Sequence, residues 1–342
     1  MSCTPLTVEE LRRRAARLPR ATLAHLPTPL EKAPRFAGRV GDVQVFVKRD
    51  DCTGLLFGGN KVRHAEFLLA DAVHQGCDVL VWGAGVQSNN CRVTAAACAR
   101  LGLECRLFLS RTTGPTELQG NLLLDHLVGA KVQLVDAAMG PELNALLADE
   151  AAKLRSAGRR PYVWHPPRTV PLAAVSYALA AAELADDLRR VGVEPAAVYV
   201  SSSGSTGAGL ALGVRALGLG WPVRSVGYIR WPWEVPAFMA DAANGAAELM
   251  GLPHRLGPAD IDYTADQIGA DYGRLTAAGR EALRLMATTE AMLLDPVYTA
   301  RAAAELIADV RSGRVPAGAA VVFVHTGGGP SVFAAVEDMF SV

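Results

Sequence analysis

Lys61 closes the run Phe57-Gly58-Gly59-Asn60-Lys61, shortly after a strand-like stretch from Val43 to Lys48 and at the head of an amphipathic stretch from Val62 to His74. A lysine held at a glycine pair beside a helix N-terminus has what a Schiff-base nucleophile needs: close backbone approach, a desolvated amine, and a helix dipole that lowers its pKa. A lone Gly-Gly-Asn-Lys is ordinarily a solvated surface charge, so the assignment needs other residues to converge on it. A P-loop is excluded, because Asn60 stands where its lysine belongs and Val62 stands where the magnesium-binding Ser or Thr belongs.

Two loops after strand-like runs carry polar groups. Ser202-Ser203-Gly204-Ser205-Thr206-Gly207-Ala208-Gly209 follows Ala197–Ser201 and opens a helix. Its N–H groups and hydroxyls suit a lone phosphate dianion, and its spacing is not the Gly-x-Gly-x-x-Gly of a dinucleotide site. Taken alone, it reads as a phosphate cradle or as an ordinary tight turn. Gln87, Ser88, Asn89 and Asn90 follow Val79–Trp82. Four polar side chains exceed what one N-cap requires and can hold a carboxylate or a ring hydroxyl. Asp295-Pro296-Val297-Tyr298-Thr299 puts a tyrosine at a helix start, and His325-Thr326-Gly327-Gly328-Gly329-Pro330 ends the last strand; both also read as structural turns. His325 has no second ligand at metal spacing, so no metal is assigned.

The elements that must position these groups alternate through most of the chain. Strands are expected at Val43–Lys48, Val79–Trp82, Cys105–Leu109, Lys131–Val135, Ala197–Ser201, Val223–Tyr228 and Ala320–Val324. Helices are expected at Arg63–Gln75, Cys91–Leu101, Glu117–Leu127, Pro141–Ser156, Leu172–Arg189, Ala208–Leu217, Ala277–Thr289 and Thr299–Arg311. The pattern predicts a doubly wound α/β chain with its ligand at the carboxyl ends of parallel strands. A domain boundary is expected near 162–169, where Pro166 and Pro167 end a strand. Residues 230–271, with Trp231, Trp233 and several prolines, read as an irregular cover or an oligomer contact.

The chain has 342 residues, with 34 Lys+Arg balancing 34 Asp+Glu, which gives no reason to expect nucleic acid or an anionic membrane surface as a partner. Half the residues are hydrophobic and 33 are glycine, as a large α/β core with many tight turns requires. Six cysteines without a Cys-x-x-Cys pair, and a charged N-terminal stretch without an apolar core, predict a reduced, cytoplasmic setting. No apolar run is long enough to span a bilayer.

Taken in order, Lys48–Asp51 (KRDD), Phe57–Lys61 (FGGNK), Val86–Asn90 (VQSNN), Ser202–Gly209, Leu293–Thr299 (LLDPVYT) and His325–Pro330 (HTGGGP) resemble pyridoxal-phosphate enzymes of fold type II. The specific group is that of D-cysteine desulfhydrase and 1-aminocyclopropane-1-carboxylate (ACC) deaminase. The resemblance runs from Pro27 to Pro330 and implies a tryptophan synthase beta-like fold of two doubly wound domains with mostly parallel sheets. It implies a large cofactor domain of residues 1–57 and 165–342, with a small α/β domain of residues 58–164 inserted, and a homodimer. Lys61 corresponds to the lysine that carries pyridoxal 5'-phosphate and shuttles the Cα proton. Asn89 corresponds to the partner of the phenolic oxygen, and Ser203, Gly204, Ser205, Thr206 and Gly207 to the phosphate loop. Ser88 with Gln87 and Asn90 corresponds to the group that holds the substrate carboxylate, and Tyr298 and Tyr272 to active-site tyrosines.

The resemblance implies β-elimination from a small amino acid, with D-cysteine giving pyruvate, sulfide and ammonia; the alternative is an ACC deaminase or a specialised enzyme of the same family. The choice between them is read at Thr299 and at Thr326, which falls among the cofactor contacts. In the deaminases these positions are a glutamate and a leucine, in the desulfhydrases small hydroxyl residues, as here. A hydroxyl supports a weaker electron sink than a carboxylate, enough to expel a thiolate but poorly suited to opening a cyclopropane. Two positions depart from the family: His64 replaces a lysine, and His165-Pro166-Pro167-Arg168-Thr169 replaces a Gly-Gly-Ser-type turn. The second change predicts a rigid turn whose Arg168 guanidinium could select a second anionic group. A nucleotide-cofactor oxidoreductase built on Gly83–Asn90 lacks the third glycine and the acidic residue after Cys105–Leu109. A non-catalytic pyridoxal-phosphate binder is disfavoured by Lys61, Ser88 and Tyr298 together.

Overall fold

A computed structural model describes residues 4–269, 274–336 and 339. Its ten strands are β1 (Leu30–Lys32), β2 (Gln44–Lys48), β3 (Val79–Gly85), β4 (Glu104–Ser110), β5 (Lys131–Val135), β6 (Pro161–Val163), β7 (Ala197–Ser201), β8 (Val223–Val226), β9 (Tyr263–Thr264) and β10 (Ala320–Val324). The helices are α1 (Val8–Ala15), α2 (Pro34–Val40), α3 (Asn60–His74), α4 (Asn89–Leu101), α5 (Gly120–Leu127), α6 (Pro141–Ser156), α7 (Pro166–Val191), α8 (Ser205–Ala216), α9 (Val235–Leu249), α10 (Ala277–Glu290) and α11 (Thr299–Arg311). One sheet has the order β1-β2-β10-β7-β8-β9, and a second, drawn from residues 79–163, has the order β5-β4-β3-β6. Every pairing is parallel except β1 with β2.

The sheet centres explain their sequences. All five residues of β10 are buried, because a parallel strand covered by helices on both faces has no solvent side to alternate with. α7 packs against α3, α8 and α9. Its contact with α8 demands glycine: a Cβ at Gly209 would lie 2.2 Å from the Ala174 carbonyl oxygen, and one at Gly213 would lie 2.5 Å from the Ala181 Cβ.

Three stretches differ from expectation. Pro166 and Pro167 do not form a turn; they begin the 26-residue α7, where the first positions have no N–H to lose. Residues 235–249 of the expected irregular zone form the alanine-rich α9, entered through Val235-Pro236. α3 starts at Asn60, which puts Lys61 inside the first helical turn.

A buried ionic network joins β2, the 49–53 turn, α3 and α7. Arg63 Nη2 meets Asp50 Oδ1 at 2.8 Å and Glu183 Oε1 at 2.9 Å, while Lys48 Nζ lies 2.6 Å from Glu183 and 2.6 Å from Asp187. Thr28 and Tyr177 hydroxyls both donate to Asp50. Burial alone would raise the Glu183 carboxyl, but Arg63 and Lys48 override it and hold its pKa at about 2. Its stabilising share is therefore present above the ordinary carboxylate range near 4 and is lost as pH falls through about 2. Replacing Arg63 with methionine leaves the buried Asp50 carboxylate without a cation and Glu183 with Lys48 alone, and should cost about 3–5 kcal/mol in urea unfolding at pH 7. A change of only about 0.5 kcal/mol, typical of a surface substitution, contradicts this.

Candidate active site

The turn that presents Lys61 is strained and clamped. Leu56 and Phe57 adopt positive φ (42° and 66°), followed by Gly58 and Gly59 at 61° and 110°. A Cβ at Gly58 would lie 2.2 Å from the Asp51 carbonyl oxygen, so only glycine fits there. Gly59 N donates to Thr53 Oγ1 at 2.8 Å, and Asn60 N donates to the Thr326 carbonyl at 3.0 Å. From α4, the buried Arg92 donates to the Leu56 carbonyl and, at 3.0 Å, to the Gly58 carbonyl.

Lys61 faces a cavity of about 530 Å³ together with Ser88, Asn89, Asn90, Ser203, Gly204, Ser205, Thr206, Tyr298 and Thr326. Its amine makes no hydrogen bond or ion pair with a described residue, and desolvation pushes its pKa down to about 8. Position in the first turn of α3 acts in the same direction, since the N-terminal end of a helix disfavours a cation. Among the described residues lining this cavity, Lys61 carries the only formal charge. A second groove, of about 740 Å³, lies away from Lys61 between α1, α3 and α7, and its charged residues Arg12, Arg20, Arg63, Glu66 and Glu183 are already paired.

The polar walls are pre-oriented. Ser88 Oγ caps α4 by accepting from Asn90 N and Cys91 N, both at 3.2 Å, which leaves its proton to donate. Asn121 Nδ2 donates to Asn89 Oδ1 at 3.0 Å, which turns the Asn89 amide NH2 outward as a donor for a phenolic oxygen. Thr206 Oγ1 accepts from Asn60 Nδ2 at 2.9 Å and lies 3.3 Å from His64 Nε2. Burial, with Lys61 and Arg63 nearby, holds His64 well below the usual histidine range, so the ring is neutral.

Other expected residues fall elsewhere. Gln87 does not line the cavity: its oxygen accepts from Asn121 N and its amide donates to the Gln119 carbonyl. Gly207 turns to the core, where a Cβ would lie 2.3 Å from Ser225 Oγ. Thr299 is also outside the cavity; its hydroxyl donates to Asp295 Oδ1 at 2.6 Å, and Asp295 further accepts from the N–H groups of Val297 and Tyr298. The Arg168 guanidinium is bound bidentately by Asp71, which also accepts from the Tyr162 hydroxyl, so it does not guard the mouth. Tyr272 lies outside the described residues. Asn60, Arg92, Asn121 and Tyr228, the last packed edge-on to Tyr298 at 4.7 Å, were not singled out from sequence.

A phosphate-bearing aldehyde fits these groups. The buried Ser203 hydroxyl has no partner, α8 has no side-chain cap, and no described carboxylate lines the cavity to repel a dianion. A parallel α/β fold with a lone desolvated lysine opposite an uncapped helix N-terminus defines a pyridoxal-phosphate enzyme. Residues 21–327 match the pyridoxal-phosphate dependent enzyme family, and the chain belongs to it. It is 36% identical over 322 residues to a D-cysteine desulfhydrase of Salmonella choleraesuis (strain SC-B67), covering 93% of this chain and 96% of the relative. A solved ACC deaminase homologue superposes with a TM-score of 0.87 at 33% identity, covering 97% of this chain and 98% of that one. An O-ureido-L-serine synthase shares the fold at TM-score 0.64 and 18% identity, with 94% of each chain covered.

After reductive methylation with carbon-13 formaldehyde, the Lys61 resonance of the cofactor-free protein should titrate near pH 8, below the other lysines, and vanish in Lys61→Ala. A Lys61 midpoint at about 10.4, the ordinary value, contradicts the desolvated amine.

Proposed function

We propose that the protein is a lyase that carries out β-elimination on a D-configured cysteine or a close analogue, releasing a 2-oxo acid and ammonia. The observation that carries this reading is Lys61, an amine without a described partner and with its pKa lowered to about 8, in a cavity also lined by the uncapped start of α8 and by Ser88 and Asn90. The D-cysteine desulfhydrase relative supports the same reaction. Lys61 Nζ would hold the cofactor covalently, Asn89 its phenolic oxygen, and Ser203–Thr206 its phosphate. When bound, the cofactor supplies an electron-withdrawing ring that accepts the electron pair left at Cα.

Ser88 and Asn90 orient the substrate carboxylate, so that the Cα–H bond stands within reach of Lys61 Nζ. Lys61 takes the Cα proton, a role favoured by its lowered pKa of about 8, which leaves more of the amine unprotonated at neutral pH than in an ordinary lysine. Tyr298 sits on the same cavity wall, where it can hand a proton to the departing sulfur. Thr326, a hydroxyl on the cavity wall, supports only a modest electron sink, which suits expulsion of a good leaving group. Thr299, spent on Asp295, has no part in that choice. The insertion of 58–164 as a small substrate-side domain, a cytoplasmic setting and a homodimer complete the reading.

Assaying 2-oxo acid formation with D-cysteine, L-cysteine, D-serine, β-chloro-D-alanine and ACC tests this. Pyruvate from D-cysteine and β-chloro-D-alanine is expected, and preferential 2-oxobutyrate from ACC defeats the reading. Ser88→Ala and Tyr298→Phe should keep the cofactor's visible absorbance while kcat/KM falls about tenfold or more; wild-type kinetics in both would confine these side chains to structural roles.

A further inference from the structure

Beyond the polar groups already assigned, and Asn144, Ser201 and Ser202, the cavity wall carries a set of large apolar and aromatic side chains. Met139 contributes from the β5–α6 connection and Leu143 from the first turn of α6, and Trp164 follows β6, packed edge-on against Trp82 at 4.8 Å. On the other side an aromatic stack climbs away from the phosphate loop. Phe238 lies 3.6 Å from where a Cβ of Gly204 would be; Trp233 lies 5.8 Å from Phe238, and Trp231 is stacked on Trp233 at 4.5 Å and 17°. Trp233 lines the cavity and is nevertheless 40% exposed, a large indole left uncovered at the mouth. The thiol of cysteine offers this wall almost nothing to bury.

Charge decides what the wall can receive. With Lys61 as the only formal charge among the described lining residues, and Arg168 committed to Asp71, a second ionised group on the substrate would find no counter-charge. An uncharged apolar substituent would bury against indole and aliphatic carbon. Aryl thiolates are also weakly basic and leave readily, as the modest electron sink at Thr326 requires.

We propose that the substrate class of this site is S-substituted cysteines whose sulfur bears an uncharged apolar group, an aromatic ring above all, with Trp164, Trp231, Trp233 and Phe238 as the selecting surface. The inference rests on the elimination reading above and names its leaving group. The Cα proton moves to Lys61 Nζ, the Cβ–S bond breaks with both electrons going to sulfur, and the thiolate takes up a proton to leave as R–SH. The remaining enamine tautomerises, and water hydrolyses it. The sum is substrate plus one water giving R–SH, pyruvate and ammonium, with no oxidant or reductant consumed.

The test compares S-phenyl-D-cysteine with D-cysteine on the holoenzyme, following pyruvate and thiophenol release. One methylene in an apolar pocket is worth about 10- to 200-fold, so kcat/KM for the phenyl conjugate should exceed that for D-cysteine at least about tenfold. Trp233→Ala should collapse that ratio about tenfold or more, and Trp233→Phe should retain most of it, which separates a lost aromatic surface from a damaged fold. Pyruvate from D-cysteine with no turnover of the conjugate overturns this proposal and leaves the elimination reading standing. A ratio unmoved by Trp233→Ala overturns the assignment of the wall. Pyruvate from neither substrate overturns both readings.

Discussion

Five charges, four of them buried and Glu183 nearly so, fix where the reactive lysine stands. Lys48, Asp50, Arg63, Glu183 and Asp187 come from a strand, a turn and two helices, and each is satisfied only when all four elements adopt one arrangement. Arg63 is two residues beyond Lys61, so the orientation that pairs Arg63 also points Lys61 into the cavity. The strained run from Leu56 to Gly59 is tolerated because Thr53, Arg92 and the Thr326 carbonyl hold it from three sides.

That arrangement divides the labour between charge and its absence. The ion pairs are kept behind α3, while the cavity in front contains a single formal charge among its described lining residues. A lone amine surrounded by amides, hydroxyls and indoles loses hydration without gaining a counter-ion, which is why its pKa falls to about 8. The same scarcity of charge admits an anionic phosphate at α8 and leaves the aromatic wall free to select by shape.

Elements with unbroken periodicity were legible to the residue. Lys131–Val135, Ala197–Ser201, Pro141–Ser156 and Thr299–Arg311 occupy the bounds that alternation and capping residues indicate. α9 was hidden because Trp231, Trp233 and Pro236 sit at its entrance and few charges mark its outer face. In the candidate site, the glycine turn, the Ser/Thr loop and the Ser88–Asn90 run announce themselves locally, and the structure brings them to one cavity. Asn121 and Arg92 gave no signal, because their positions matter only through contacts across 32 to 36 residues of chain. Arg168 pointed the wrong way for the same reason, since Asp71 claims it across 97 residues of chain; Thr299 is claimed locally instead, by Asp295 four residues before it in the same run.

The chain contains five lysines, Lys32, Lys48, Lys61, Lys131 and Lys153. Lys48 is locked between two carboxylates, Lys131 pairs with Glu104, and Lys32 lies over the Phe46 ring. Borohydride reduction of the cofactor-loaded protein, followed by peptide mapping, asks which of the five holds the cofactor. The account predicts a single pyridoxyl group on the peptide containing Lys61; a pyridoxyl group on any of the other four lysines, or on none, would contradict it.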